Sequence, residues 1–192
     1  MKRITIIGNA GAGKSTLAVK LGERLAIPVY HLDKLLWKEG WVRTPEEEFV
    51  AKHQEILEKE EWIIDGVAYK STYDARFTQA EVILLLDVPV EICVEHAVQR
   101  MEEEKTRPNP YVNPNCPYEG PIEQQKEVMI LFHEEYRPWI LEKLENFKEK
   151  TIILKDFSSQ KKDDMDNLLH RIVEKITNGK QNLIDDICKN TS

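Results

Sequence analysis

The chain has 192 residues, the size of one domain or of one domain with a small insert, and its 41% hydrophobic and 32% charged residues supply a core and exclude a disordered tail. With 27 basic against 34 acidic residues the formal charge is −7, which disfavours a bulk electrostatic grip on nucleic acid and leaves only a local basic patch open. Cys93, Cys116 and Cys188 are odd in number and in no paired spacing, so neither a disulfide framework nor a cysteine-rich zinc site fits.

Arg3 to Ile7 reads as the first strand, an apolar run with no cleavage site after it, so no signal peptide is expected. Ser15 to Ala26 reads as a helix with Leu17, Ala18, Leu21 and Leu25 on one face, and Pro28 to His31 as a second strand. Thr44-Pro45-Glu46-Glu47 has the form of a helix start, a Thr cap with Pro at the first helical position and Glu three residues on. Behind it Phe49, Val50, His53, Ile56 and Leu57 keep a 3.6-residue period. Trp62 to Asp65 and Val82 to Asp87 are continuous apolar runs of the kind that parallel strands buried on both faces present. After Pro89 a helix carries Ile92, Cys93, Ala97 and Met101.

Five prolines, Pro108, Pro110, Pro114, Pro117 and Pro121, then exclude regular structure. Gln124 to Phe147 reads as a long helix bent at Pro138, and Thr151 to Leu154 as a last strand. Met165, Leu168, Leu169, Ile172, Val173 and Ile176 form an amphipathic helix with Gly179 at its C-terminal cap, followed by a polar tail with an apolar patch at Leu183, Ile184 and Ile187. No apolar run approaches the ~20 residues of a membrane helix. A soluble, cytoplasmic α/β protein is the expectation.

The chemistry sits in Gly8-Asn9-Ala10-Gly11-Ala12-Gly13-Lys14-Ser15-Thr16, which matches G-x-x-x-x-G-K-[ST] after a strand and at the opening of a helix. Gly8, Gly11 and Gly13 let the backbone wrap a phosphate with its amides inward, and the following helix adds the positive end of its dipole. Lys14 then neutralises charge on the β- and γ-phosphates, and the Ser15 hydroxyl suits Mg²⁺. The nine residues from Gly8 to Thr16 are the expected nucleotide-binding loop, with ATP and Mg²⁺ as cofactors.

Residues 1–178 resemble the adenylate kinase-like branch of P-loop phosphotransferases. Leu86-Asp87-Val88-Pro89-Val90-Glu91 through Arg100 is similar to that branch's strand and helix leading into the lid, and Trp62-Ile63-Ile64-Asp65-Gly66 to its strand ending in Asp-Gly. His31-Leu32-Asp33, with Trp37, Gly40 and Trp41 behind it, resembles within that branch the DNA topology modulation proteins. The resemblance implies a P-loop NTPase fold, a five-stranded parallel sheet with helices on both faces and a short lid. It places Arg100 on a lid-base arginine that contacts the transferring phosphates, and Asp65 on the carboxylate that orients Mg²⁺ through water. Departures from the branch are also visible. Tyr69 stands where the acceptor-phosphate arginine is expected, with Arg76 as its looser substitute; His96 stands where an arginine stacks on adenine; and Cys116 is alone where zinc-bearing lids need four ligands.

Phosphoryl transfer needs positive charge on the γ-phosphate and an aligned acceptor. Lys14, Arg100, Arg107 and Arg137 are the candidates for that charge, Arg107 from the expected lid and Arg137 on the nucleotide, with a surface salt bridge as the competing reading of Arg137. Asp33, after the second strand, reads as a base for an acceptor hydroxyl or as a Mg²⁺ ligand beside Ser15 and Asp65, against a helix cap as the alternative. Asp33 and Arg76 are the acceptor-binding candidates, and Asp87 reads as a structural strand exit. Tyr30, Trp37, Trp41 and Tyr69 read as core more than as pocket; His31, His53, His133 and His170 show no ligand spacing, with His53 and His170 expected on helix surfaces.

The expected organisation is therefore a kinase-like domain over 1–178, with a lid at about 104–121, an acceptor-side segment at about 34–76 and a tail at 179–192. The expected function is ATP- and Mg²⁺-dependent phosphotransfer to a small acceptor, a nucleotide or nucleoside being one class. The alternatives are a nucleotide-switched regulatory protein affecting DNA topology with little catalysis, and a kinase of a non-nucleotide hydroxyl acceptor. A nucleoside triphosphate and a small molecule are the expected partners, without nucleic acid or membrane, in a monomer or weak homodimer.

Overall fold

A computed structural model describes residues 2–104, 109–113, 116, 122–155 and 162–178. Its centre is β1 (Arg3–Gly8), whose Ile4, Thr5, Ile6 and Ile7 are all buried. Because side chains alternate along a strand, Ile4 and Ile6 face one apolar layer and Ile7 the other. That requires helices on both faces, and β1 is flanked on both edges by parallel strands, β5 (Trp62–Asp65) and β6 (Val82–Leu86). With β2 (Val29–His31) and β7 (Thr151–Leu154) the five-stranded parallel sheet has the order β2-β5-β1-β6-β7. The expected fold class is the one observed.

One layer holds α1 (Lys14–Leu25), α5 (Val90–Glu104), α6 (Ile122–Leu131) and α8 (Lys162–Asn178), meeting the sheet through Leu17, Leu21, Cys93, Ala97, Met129 and Ile172. The other holds α2 (Leu32–Leu36), α3 (Glu46–Leu57), α4 (Tyr73–Gln79) and α7 (Arg137–Leu144) over Ile64, Ile83 and Leu85. Each fully buried Ile or Leu of these layers contributes roughly 2 kcal/mol relative to exposure.

Three local expectations are corrected. Thr44 does not cap α3: the cap position is Pro45, and the Thr44 hydroxyl donates to the Leu35 carbonyl at 2.7 Å while its amide donates to that of Leu36 at 2.8 Å. His53 is not on the helix surface but 2% exposed, stacked on Phe49, because the period that buries Phe49, Ile56 and Leu57 carries it inward too. The helix expected over 124–147 is interrupted. A π-helical turn at Phe132–Tyr136 joins α6 to α7, and a 3-10 turn follows at Glu145–Lys150. Pro138 has no amide to continue the ladder and crowds the carbonyl four residues back, and the wider turn relieves both. A hairpin of two-residue strands, β3 (Trp37–Lys38) and β4 (Val42–Arg43), lies within the expected acceptor-side segment, with Gly40 and Trp41 at positive φ in its turn.

Of the expected lid, only the end of α5 and residues 109–113 and 116 are described; Arg107, Pro108, Pro114, Pro117 and Pro121 lie outside the described residues, as do Gly179 and the tail at 180–192. No helix among the described residues is long and apolar enough to cross a membrane.

Candidate active site

The carboxyl ends of β1, β2, β5 and β6 meet along one edge of the sheet, where ligands of open parallel sheets gather. In register, His31 of β2 lies opposite Asp65 of β5, Ile6 of β1 opposite the same Asp65, and Gly8 opposite Leu86. The loop from Gly8 to Gly13 turns over this edge. Gly11 has φ +77° and its missing Cβ would stand 2.2 Å from the Cys93 carbonyl oxygen, so the loop lies directly on the first turn of α5 and only glycine fits there. His96, one turn further along α5, holds the same point: a carbonyl only accepts, so its Nδ1–H donates to the Gly11 oxygen at 3.0 Å. Cys93 itself is buried, which pushes its thiol up to about 11 and makes it unreactive.

Gly13, in the left-handed region, is the N-cap of α1 and offers no side chain; no acidic residue stands in the first turn. The first intrahelical bond runs from the Leu17 amide to Gly13, so the amides of Lys14, Ser15 and Thr16 open toward the cleft as helix N-termini do. Asn9 organises the rest of the loop. Its side chain is buried, Nδ2 donating to the Met129 carbonyl and Oδ1 accepting from the Ala10 amide, both at 2.8 Å. Its carbonyl accepts from the Ala12 amide at 3.2 Å and from Lys14 Nζ at 2.8 Å. Asn9 therefore occupies, with its own oxygens, donors that the sequence assigns to phosphate. Burial holds the Lys14 ammonium below its ordinary pKa, against the opposing pull of Asp33 and Asp65 and with Arg100 adding to the depression.

Two of the three expected metal-side residues touch. Ser15 Oγ donates to Asp65 Oδ2 at 2.7 Å. Asp65 Oδ1 is engaged by His31 Nδ1 at 2.5 Å. Asp33, in the first turn of α2, is not that helix's cap, a position held by His31 without a side-chain bond. Burial raises the Asp33 carboxyl above the ordinary carboxylate range; Lys14, Arg100 and His31 pull it back and Asp65 pushes it further up. Asp33 thus shares one electrostatic neighbourhood with Lys14, Asp65, Arg100 and His31. Among the described residues no group of three His, Cys, Asp or Glu side chains could enclose a metal by itself. A hydroxyl with one or two carboxylates is instead a hard-oxygen set of the kind that suits Mg²⁺ when phosphate and water complete the shell.

The arginines separate. Arg100, exposed on α5, acts on both Lys14 and Asp33. Arg137 carries an occupied fork, Nε and Nη2 bound to Asp87 Oδ1 and Oδ2 at 2.6 and 2.8 Å, an ion pair that raises its pKa and leaves Asp87 8% exposed. Arg76 is not on the cleft surface. It is wholly buried between Tyr73 and Phe77 with Nη1 donating to the Gly66 carbonyl at 3.1 Å, its burial lowering its pKa against the pull of Tyr73 and Asp65. A side chain without solvent exposure does not meet an incoming acceptor; the link to Gly66 instead supports the turn that follows Asp65. Arg107 falls outside the described residues.

In the expected acceptor-side segment, Tyr69 packs on Phe49, donates to the Thr44 carbonyl and carries the Arg43 guanidinium 4.2 Å above its ring. Tyr30, Trp37 and Tyr69 pack on the core, and Trp41, 37% exposed, stands edge-on to Trp37. The described residues of the expected lid reach this segment: Tyr111 packs on the His31 ring at 4.9 Å, and Cys116 Sγ donates to the Lys38 carbonyl at 3.1 Å. Sequence reasoning had no role for His31, and none for His96 toward the loop. The signals for His31 were its place at a strand end, two residues before Asp33, and its part in the His31-Leu32-Asp33 resemblance.

No family model and no curated protein matches the chain. Solved structures do. A shikimate kinase from Acinetobacter baumannii in complex with shikimate is 18% identical, with 95% of this chain and 96% of that one covered and a TM-score of 0.56. A shikimate kinase from Bacteroides thetaiotaomicron is 17% identical, with 92% of this chain and 98% of that one covered and a TM-score of 0.55. The chain shares the fold of these proteins over almost its whole length.

Proposed function

We propose that the chain is a P-loop small-molecule kinase that transfers a phosphoryl group from ATP, with Mg²⁺, to a hydroxyl of a small acceptor. The observation that carries this is the meeting of Lys14, Ser15, Asp65 and Asp33 at one sheet edge, under a glycine loop shaped for phosphate. The fold shared with shikimate kinases supports it and favours a non-nucleotide acceptor over a nucleotide. The first-turn amides of α1 and Lys14 hold the phosphates, Lys14 leaving the Asn9 carbonyl to do so. Ser15, Asp65 and Asp33 would hold Mg²⁺, which when bound shields phosphate charge and orients the nucleotide. Asp33 accepts the proton of the attacking hydroxyl, a role its burial suits by raising its proton affinity. Arg100 stabilises charge on the transferring group, joined by Arg107 from the lid. Arg76 and Arg137 are supports, for Gly66 and Asp87, rather than substrate contacts.

The likeness of His31-Leu32-Asp33 and its downstream tryptophans to DNA topology modulation proteins belongs to this reading as a sequence relationship. The formal charge of −7 argues against direct DNA contact. ADP release from ATP–Mg²⁺ across nucleoside monophosphates, nucleosides and small hydroxy acids tests the reading. Stimulation by the hydroxy acids supports it, stimulation by nucleoside monophosphates alone moves the acceptor to nucleotides, and tight binding without turnover turns the account to a nucleotide switch.

A further inference from the structure

We propose that His31 is a positioning residue that fixes Asp65 for the divalent cation, so that the Mg²⁺-dependent part of nucleotide affinity depends on a histidine that touches neither metal nor nucleotide. The inference rests on the kinase reading above. Asp65 is the best-determined carboxylate of the site: 3% of its side chain is exposed, and both oxygens are committed, Oδ2 to the Ser15 hydroxyl at 2.7 Å and Oδ1 to His31 at 2.5 Å. An ionised carboxylate accepts and does not donate, so His31 Nδ1 bears the hydrogen of this bond.

The imidazole is itself held. Its backbone ends β2 in direct register with Asp65, only 12% of its side chain is exposed, and one face carries the Tyr111 ring at 4.9 Å and 51°. Strand pairing thus fixes the two Cα atoms and ring packing fixes the donor, leaving one orientation for the carboxylate. With the Ser15 hydrogen directed at Oδ2, the hydroxyl's lone pairs are left to face a cation.

Two positive groups act on Asp65 from other elements, Lys14 from α1 and the buried Arg76 from α4. Without the His31 bond, Oδ1 has no partner and the carboxylate turns toward Lys14. That rotation withdraws Asp65 from Ser15 and from the cation's side of the hydroxyl, with Lys14 left in place. Partners that orient a metal's ligands are generally worth 10–100-fold in metal affinity.

The test is calorimetric binding of a non-hydrolysable ATP analogue with Mg²⁺ and with EDTA, read as the dissociation constant in EDTA divided by that in Mg²⁺. His31→Ala is expected to lower the wild-type ratio about tenfold while the metal-free constant changes less than about twofold. His31→Asn, whose amide nitrogen falls near the place of Nδ1, is expected to keep the ratio, and His31→Gln, whose nitrogen falls near Nε2, to lose it. Melting temperatures identify any variant that does not fold, and the Asn–Gln contrast decides the matter if the alanine variant is one. A wild-type ratio in folded His31→Ala overturns the inference alone, as does equal loss in the Asn and Gln variants. A wild-type chain that binds the analogue equally with and without Mg²⁺ overturns the metal-dependent kinase reading together with it.

Discussion

Ser15 Oγ and Asp65 Oδ2 lie 2.7 Å apart, a hydrogen bond that joins the first turn of α1 to the end of β5 across 50 residues of chain. It makes the phosphate side and the metal side of the cleft one unit, with Asp33 beside it as the remaining carboxylate.

Asp33 gives the sharpest kinetic expectation. Asp33→Asn keeps the shape and removes the proton acceptor, so kcat should fall by about 100-fold or more while affinity for the metal-free nucleotide stays within about threefold. Because burial places the Asp33 carboxyl above the ordinary carboxylate range, the wild-type rate should fall on the acid side at a pH above that range. A pH–rate profile of kcat/KM for the acceptor checks both, and an unchanged kcat in Asp33→Asn removes Asp33 from the chemistry.

Gly11 is the loop position with no room for change. Gly11→Ala would set a Cβ 2.2 Å from the Cys93 carbonyl at φ +77°, so either the loop or α5 must shift. Nucleotide affinity should drop at least about tenfold and stability by about 1–2 kcal/mol. Calorimetry and thermal melting measure the two, and retention of both would mean that the loop does not rest on α5.

Arg137 separates support from catalysis. Arg137→Ala leaves Asp87, 8% exposed, without its bidentate partner, and should cost about 2 kcal/mol in stability with ATP affinity unchanged. A tenfold loss of ATP affinity at an unchanged melting temperature would return Arg137 to the nucleotide.

His53 predicts the acid limb of stability. Burial, with Arg76 nearby, lowers it from its ordinary 6.5 to about 4, so between those values the unfolded chain binds a proton that the folded chain does not. Stability therefore rises with pH through this window and is lost as pH falls from 6.5 toward 4, by up to ~3 kcal/mol. His53→Gln, though less stable throughout, should flatten that slope in denaturant titrations at several pH values; an unchanged slope would assign the acid limb to other groups.

The parallel strands were legible because β1, β5 and β6 are continuous apolar runs, a pattern with one structural solution. The turn from β1 into α1 and the place of Asp65 at the end of β5 were legible because glycine spacing and an apolar run fix them locally. The hairpin at Trp37–Arg43 was not, since two-residue strands have no period to detect. Inward-facing His53 was visible in its spacing and misread by residue type. Arginine roles were legible only in part: the salt bridge of Arg137 stood as one of two readings, and the burial of Arg76 against Gly66 was not foreseen, because tertiary structure decides what lies across from each. His31 was missed for the same reason, its partner being 34 residues away.

The most direct measurement of the central claim is acceptor-dependent ADP release by the wild-type chain and by Lys14→Ala under identical ATP–Mg²⁺. The account predicts release that rises with a small hydroxyl acceptor in the wild type and vanishes in a Lys14→Ala variant of unchanged melting temperature. Equal release by the two proteins would contradict it.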